Sequence, residues 1–104
     1  MNRKNKEKLE KSGWKIGNVQ EFLNLSEEDM KLIEYRIALG KVLKEQREKN
    51  GYTQEQLAKE IKSSQSRIAK MENGDTNVTI DLLLKSLLYL KTPSNKICKT
   101  FAGV

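Results

Sequence analysis

Two short segments with helical patterning, Thr53–Ile61 and Ser64–Asn73, are joined through only Lys62 and Ser63. Thr53 is followed three residues later by Gln56, the spacing of a capping box, and Ser64 is placed to cap the second segment. Asn73-Gly74 closes that segment with a pair that tolerates left-handed backbone. So short a join cannot lay two helices side by side; they must cross steeply, in helix-turn-helix geometry. Leu57, Ala58, Ile61, Ile68 and Met71 supply the positions needed to pack one helix on the other. The second helix then turns Gln65, Ser66, Ala69 and Lys70 outward, with Arg67 at the edge and Glu72 at the far end. Amides and cations interleaved with small residues, with no acid in the leading turn, suit close approach to base edges in a duplex groove.

The rest of the chain is also patterned as helix. Ser26 followed by Asp29 resembles an N-cap with an acid at N3, and Glu27, Glu28 and Asp29 suit a helix N-terminus. From Glu27 to Asn50 there is no Pro, and the only Gly is Gly40. Met30, Ile33, Ile37 and Gly40 form one stripe there, and Leu32, Leu39 and Leu43 a second. The pattern predicts one long helix, or two with a bend at Gly40, stopped by Asn50-Gly51. Thr79 opens a strongly apolar helix from Ile80 to about Lys91; its leucines read as core, with surplus positions available for a dimer seam. Thr92-Pro93 fits an N-cap with Pro at N1 of a short last helix carrying Ile97 and Phe101.

Ahead of these, Met1–Ser12 reads as a frayed or weakly helical arm. Gly13 and Gly17 bracket Trp14 and Ile16, and Val19, Phe22 and Leu23 give a short helical repeat, with Trp14 and Phe22 as packing anchors. With no strand alternation and no internal repeat, the expected fold is all-α with five to six helices. A basic arm and short helical extension occupy 1–26, and a helix-turn-helix domain occupies 27–104.

Composition narrows the function. The 104 residues contain no His and a single thiol, Cys98, which excludes a His-based triad, an imidazole zinc site and an internal disulfide. No nucleophile–base pair or Walker-type loop is discernible, and Ser12-Gly13-Trp14-Lys15 matches S-x-x-K without its companion motifs. An enzyme is not expected, nor a metal or cofactor. No apolar run has the length of a membrane span, and the basic start has no apolar region behind it, so the expected location is cytoplasmic. Lys and Arg total 20 against 14 acids, a net charge of +6 that favours a polyanionic partner. The excess sits in residues 1–18 (+4) and 52–104 (+3), with −1 between them. A Lys-rich arm also serves solubility alone, so residues 1–11 by themselves identify no partner.

Gly51-Tyr52-Thr53-Gln54, Leu57-Ala58 and the run Ser64-Gln65-Ser66-Arg67-Ile68-Ala69-Lys70-Met71-Glu72-Asn73-Gly74 resemble the Xre (Cro/C1-type) helix-turn-helix family of phage repressors, over about Leu39 to Leu90. The resemblance implies a lambda-repressor-like domain and double-stranded DNA as partner. It implies that Gln54 binds a phosphate and braces Gln65, and that Gln65, Ser66 and Lys70 contact bases. Arg67 would read a base or hold backbone, and Asn73 with the loop after it would contact phosphates. Ser64, at the head of that helix, joins the DNA-binding set. Arg47 and Glu72 correspond to a structural ion pair seen in some relatives. Lys62 departs from the pattern, since most relatives carry Gly in that turn.

Gly13-Trp14-Lys15-Ile16-Gly17, with Val19-Gln20-Glu21-Phe22-Leu23 and Leu25-Ser26-Glu27-Glu28, is similar to the N-terminal extension of HigA-type antitoxins. That second resemblance implies a toxin protein of the RelE/HigB ribonuclease type as a further partner, with autorepression of the shared operon. The alternative is a stand-alone repressor of the same family. In either case a homodimer would set two reading helices about 34 Å apart on a pseudo-palindromic operator.

Overall fold

Ser26 starts the longest helix by the reciprocal bonds its sequence permits. Its hydroxyl accepts the Asp29 N–H at 3.1 Å, and the Asp29 carboxylate accepts the Ser26 N–H at 3.4 Å. The computed structural model describes residues 24–104, and among them the chain forms five helices and no strand. These are α1 (Glu27–Lys49), α2 (Gln54–Glu60), α3 (Gln65–Glu72), α4 (Ile80–Tyr89) and α5 (Ser94–Ala102). Thr53 and Gln56 complete the capping box of α2, with bonds of 3.1 and 2.9 Å, while Ser64 and Thr79 cap α3 and α4. The expected all-α, lambda-repressor-like helix-turn-helix fold is the one observed. The arm, Trp14, Phe22 and most of the 1–26 extension lie outside the described residues.

α1 runs unbroken through Gly40. The glycine is there for proximity: a Cβ on Gly40 would lie 3.0 Å from the Glu72 carbonyl oxygen and closer still to that of Met71. α1 therefore meets the C-terminal turn of α3 backbone to backbone. Gly74 works from the other side, at φ +72 with its missing Cβ 2.9 Å from Ile37 Cα. The two stripes read from the sequence are only partly inward: Met30, Ile33, Leu39 and Leu43 are buried, whereas Leu32 is 38% exposed.

Four of the five helices end in the same way. After α1, α2, α3 and α4 the chain turns through a left-handed residue, whose own amide and that of the next residue bond back into the last turn, in Schellman geometry. Gly51 and Gly74 occupy that position after α1 and α3; Lys62 (φ 55) and Lys91 (φ 58) occupy it after α2 and α4. This corrects the expected start of α5. The Thr92 amide is committed to Leu87 O at 3.0 Å as part of the α4 ending, so Pro93 becomes the N-cap and Ser94 the first helical residue. Thr92 points inward instead of capping, its buried hydroxyl without a partner among the described residues.

The core lies where the helices converge. Leu39 and Leu43 of α1, Leu57 of α2, Ile68 and Met71 of α3, and Leu83 and Leu87 of α4 are fully buried. All five residues expected to pack α2 on α3 are buried. At roughly 1.5–3 kcal/mol per buried aliphatic side chain, this cluster is what fixes the α2–α3 corner as a rigid unit. Arg36 donates to Val78 O at 3.1 Å, tying the α3–α4 loop to α1, and Tyr35 packs edge-on against Phe101 to seat α5. No described helix is long and apolar enough to cross a membrane.

Candidate nucleic-acid interface

Burying Ile68 and Met71 rotates the other side of α3 into solvent. Gln65, Ser66, Arg67 and Lys70 are exposed, as is Asn73 at the C-cap, while Ala69 is half-buried. Ser64 is exposed too, but its hydroxyl accepts the Arg67 N–H at 3.2 Å and lies 3.3 Å from the Ser66 hydroxyl. The first turn of α3 carries no acid, so the partial positive charge of the helix N-terminus reaches solvent uncancelled by its own side chains. No described acid forms an ion pair with Arg67 or Lys70.

Behind this face four side chains are linked in series. Arg47 grips Glu72 through two bonds, Nε to Oε2 at 2.6 Å and Nη2 to Oε1 at 3.1 Å, and its Nη1 donates to Tyr52 O at 2.8 Å. Glu72 Oε1 also accepts from Gln54 Nε2 at 3.1 Å, and Gln54 Oε1 accepts from Gln65 Nε2 at 2.6 Å. Arg47 lies seven residues after Gly40, two turns along the same face of α1. The close approach at Gly40 therefore delivers the end of α3 to the guanidinium. The Arg47 and Glu72 side chains are only 11% and 4% exposed. The bond to Glu72 raises the guanidinium pKa, against the opposing effect of burial.

The series leaves Gln65 with defined capacity. One Nε2 hydrogen is held by Gln54; the other, together with the carbonyl oxygen, points to no described partner. A side chain so fixed offers one donor and one acceptor side by side, the complement of an adenine edge in the major groove. The half-buried Gln54 likewise keeps one N–H beyond its bond to Glu72. The Gln54–Glu72 contact escaped the sequence reading: the two residues are 18 apart, and neither periodicity nor spacing relates them. Among the described residues no cluster of acids and thiols is placed to hold a metal.

A family model described as Helix-turn-helix matches residues 43–97, just over half of the chain, from the second half of α1 to the middle of α5. No curated protein and no solved structure matches the chain.

Proposed function

The chain belongs to the Cro/C1-type helix-turn-helix family, and from that premise we propose that it reads an operator as a homodimer, with α3 of each protomer in successive major grooves. It is a DNA-binding transcription regulator. Gln65, Ser66 and Lys70 read bases, Arg67 reads a base or holds the backbone, and Gln54, Ser64 and Asn73 position the domain on phosphates. The observation that carries this is the Gln54–Gln65 bond, which fixes a base-edge probe on the leading turn before any DNA arrives. An immobilised side chain loses less conformational freedom on binding, and the lysines and arginines around it add sequence-independent attraction.

Selection of binding sites from random duplexes tests it directly. The expected product is an inverted repeat with half-sites one helical turn apart, bound two chains per site. Recovery of no consensus, together with equal affinity for any duplex, would end the proposal.

A toxin partner is the finer reading. Support for it is the stretch from Gly13 to Glu28, which is similar to HigA-type extensions, and the two-sided layout it implies: an arm for a protein and α3 for DNA. Co-expression with a RelE/HigB-type ribonuclease encoded beside it is expected to restore growth and yield a stable complex. Failure on both counts leaves a stand-alone repressor.

A further inference from the structure

The C-terminal ends of α2 and α4 meet at an open depression of about 510 Å³, lined by Glu60, Ile61, Lys62, Lys85, Leu88 and Tyr89. Leu88 is 60% exposed and Tyr89 39%, so two large apolar side chains stand together in solvent. Adjacent exposed apolar groups with a polar rim are how docking surfaces differ from ordinary surface. We propose that this surface, centred on Leu88 and Tyr89, docks an acidic protein segment that carries an apolar side chain.

The charge of the rim selects the occupant. Glu60 is already engaged, accepting the Tyr89 hydroxyl at 2.7 Å, a bond that also raises the Tyr89 pKa. Beside this carboxylate the lining carries two cations, Lys62 and Lys85, both exposed, so the charge around the apolar centre is net positive. A second copy of the same surface fits poorly, since each copy brings two lysines and one carboxylate, Glu60, and one cation per copy would be left without a partner. A DNA strand fits poorly as well, because Leu88 gains nothing from phosphates. An acidic segment with an apolar anchor satisfies both the rim and the centre.

This surface does not depend on operator reading, and its test keeps the two apart. The isotopically labelled full chain is titrated, by NMR, with a short synthetic peptide bearing a Leu-Phe pair flanked by glutamates. A control peptide has glutamines in place of the Leu-Phe pair. Shifts are expected at Ile61, Lys62 and the last turn of α4, with affinity roughly tenfold lower for the control peptide and for Leu88→Ser. Lys85→Glu should lose the acidic peptide and gain a lysine-flanked version of it, while Leu88→Ser keeps the parent's affinity for duplex DNA. Shifts confined to the Gln65–Lys70 face, equal binding of both peptides, or an unaffected Leu88→Ser overturn the proposal. So does a dimer in sedimentation equilibrium that Leu88→Ser dissolves, which would give the surface to a second copy.

Discussion

Gln65 and Gln54 are joined side chain to side chain at 2.6 Å, so the first residue of α3 is held by the first residue of α2. The bond spans the turn and makes the corner between the two helices a feature of the exposed α3 face as well as of the core. Because Gln54 also donates to Glu72, which Arg47 grips, the orientation of one exposed amide is traceable back to α1.

Replacing Gln65 with Ala should therefore relax selection at one position in each half-site. The expected loss is about 1–3 kcal/mol on the preferred operator. Binding to random duplex should change little. Competition binding against a panel of single-base variants measures this, and a uniform loss on every sequence would assign Gln65 to the backbone instead.

The Arg47–Glu72 pair predicts an asymmetry between single and double substitution. Arg47→Met leaves a carboxylate buried with only Gln54 beside it, and a cost of about 3–5 kcal/mol is expected for breaking such a pair. Arg47→Met with Glu72→Leu should recover most of that stability yet leave Gln54 unbraced, giving a folded protein with looser base selection. The raised Arg47 pKa means that the stability it contributes is fully present below the ordinary guanidinium value and is lost only as pH rises through the still higher folded value. Arg47 should thus add no pH dependence to denaturant unfolding near neutrality. An Arg47→Met variant as stable as the parent would show that the pair holds nothing together.

How much of this was legible beforehand depended on whether the determinant was local. The α2–α3 corner was, because two caps, a two-residue join and five inward apolar positions lie within one short run of sequence. The capping boxes at Ser26 and Thr53 were legible for the same reason. Gly40 was not: in sequence it is a weak point in a helix, and only the arrival of Met71 and Glu72 from a distant segment shows it to be a contact. Thr92-Pro93 has the pattern of a helix start, but the ending of α4 claims the Thr92 amide first. Leu88 was counted with its leucine-rich neighbours, and nothing in that run marks which of them the fold leaves in solvent.

Gly40→Ala tests the contact. A methyl group there has backbone atoms of α3 in its way, which cannot rotate aside as a side chain would. Overpacking of this kind costs about 1–3 kcal/mol. The shift should also pull Glu72 from Arg47, so a drop in melting temperature is expected together with weaker operator selection. A neutral or stabilising outcome would mean that α1 and α3 can separate freely.

Lys62→Gly should raise stability by about 0.4–1 kcal/mol, since glycine meets φ 55 without the clash a Cβ brings. For a domain of this size that is a rise in melting temperature of about 4–8 °C per kcal/mol. Lys62→Ala keeps the Cβ and should show no such gain, which separates backbone relief from loss of the charge. A fall in melting temperature for the glycine variant would contradict the left-handed turn.

Lys70 and Gln65 share the exposed side of α3, yet salt should tell them apart. Counterions released from phosphates make binding weaken linearly, on logarithmic axes, with salt concentration. A lysine that neutralises one phosphate contributes about one to that slope, whereas an uncharged amide contributes nothing. If Lys70 reads a base edge without displacing counterions, Lys70→Ala should narrow the operator preference and leave the slope near the parent's value. A slope reduced by about one with the sequence preference intact would make Lys70 a phosphate contact and leave base reading to Gln65 and Ser66. Isotherms at several salt concentrations on operator and random duplex distinguish the two, with Gln65→Ala as the uncharged reference.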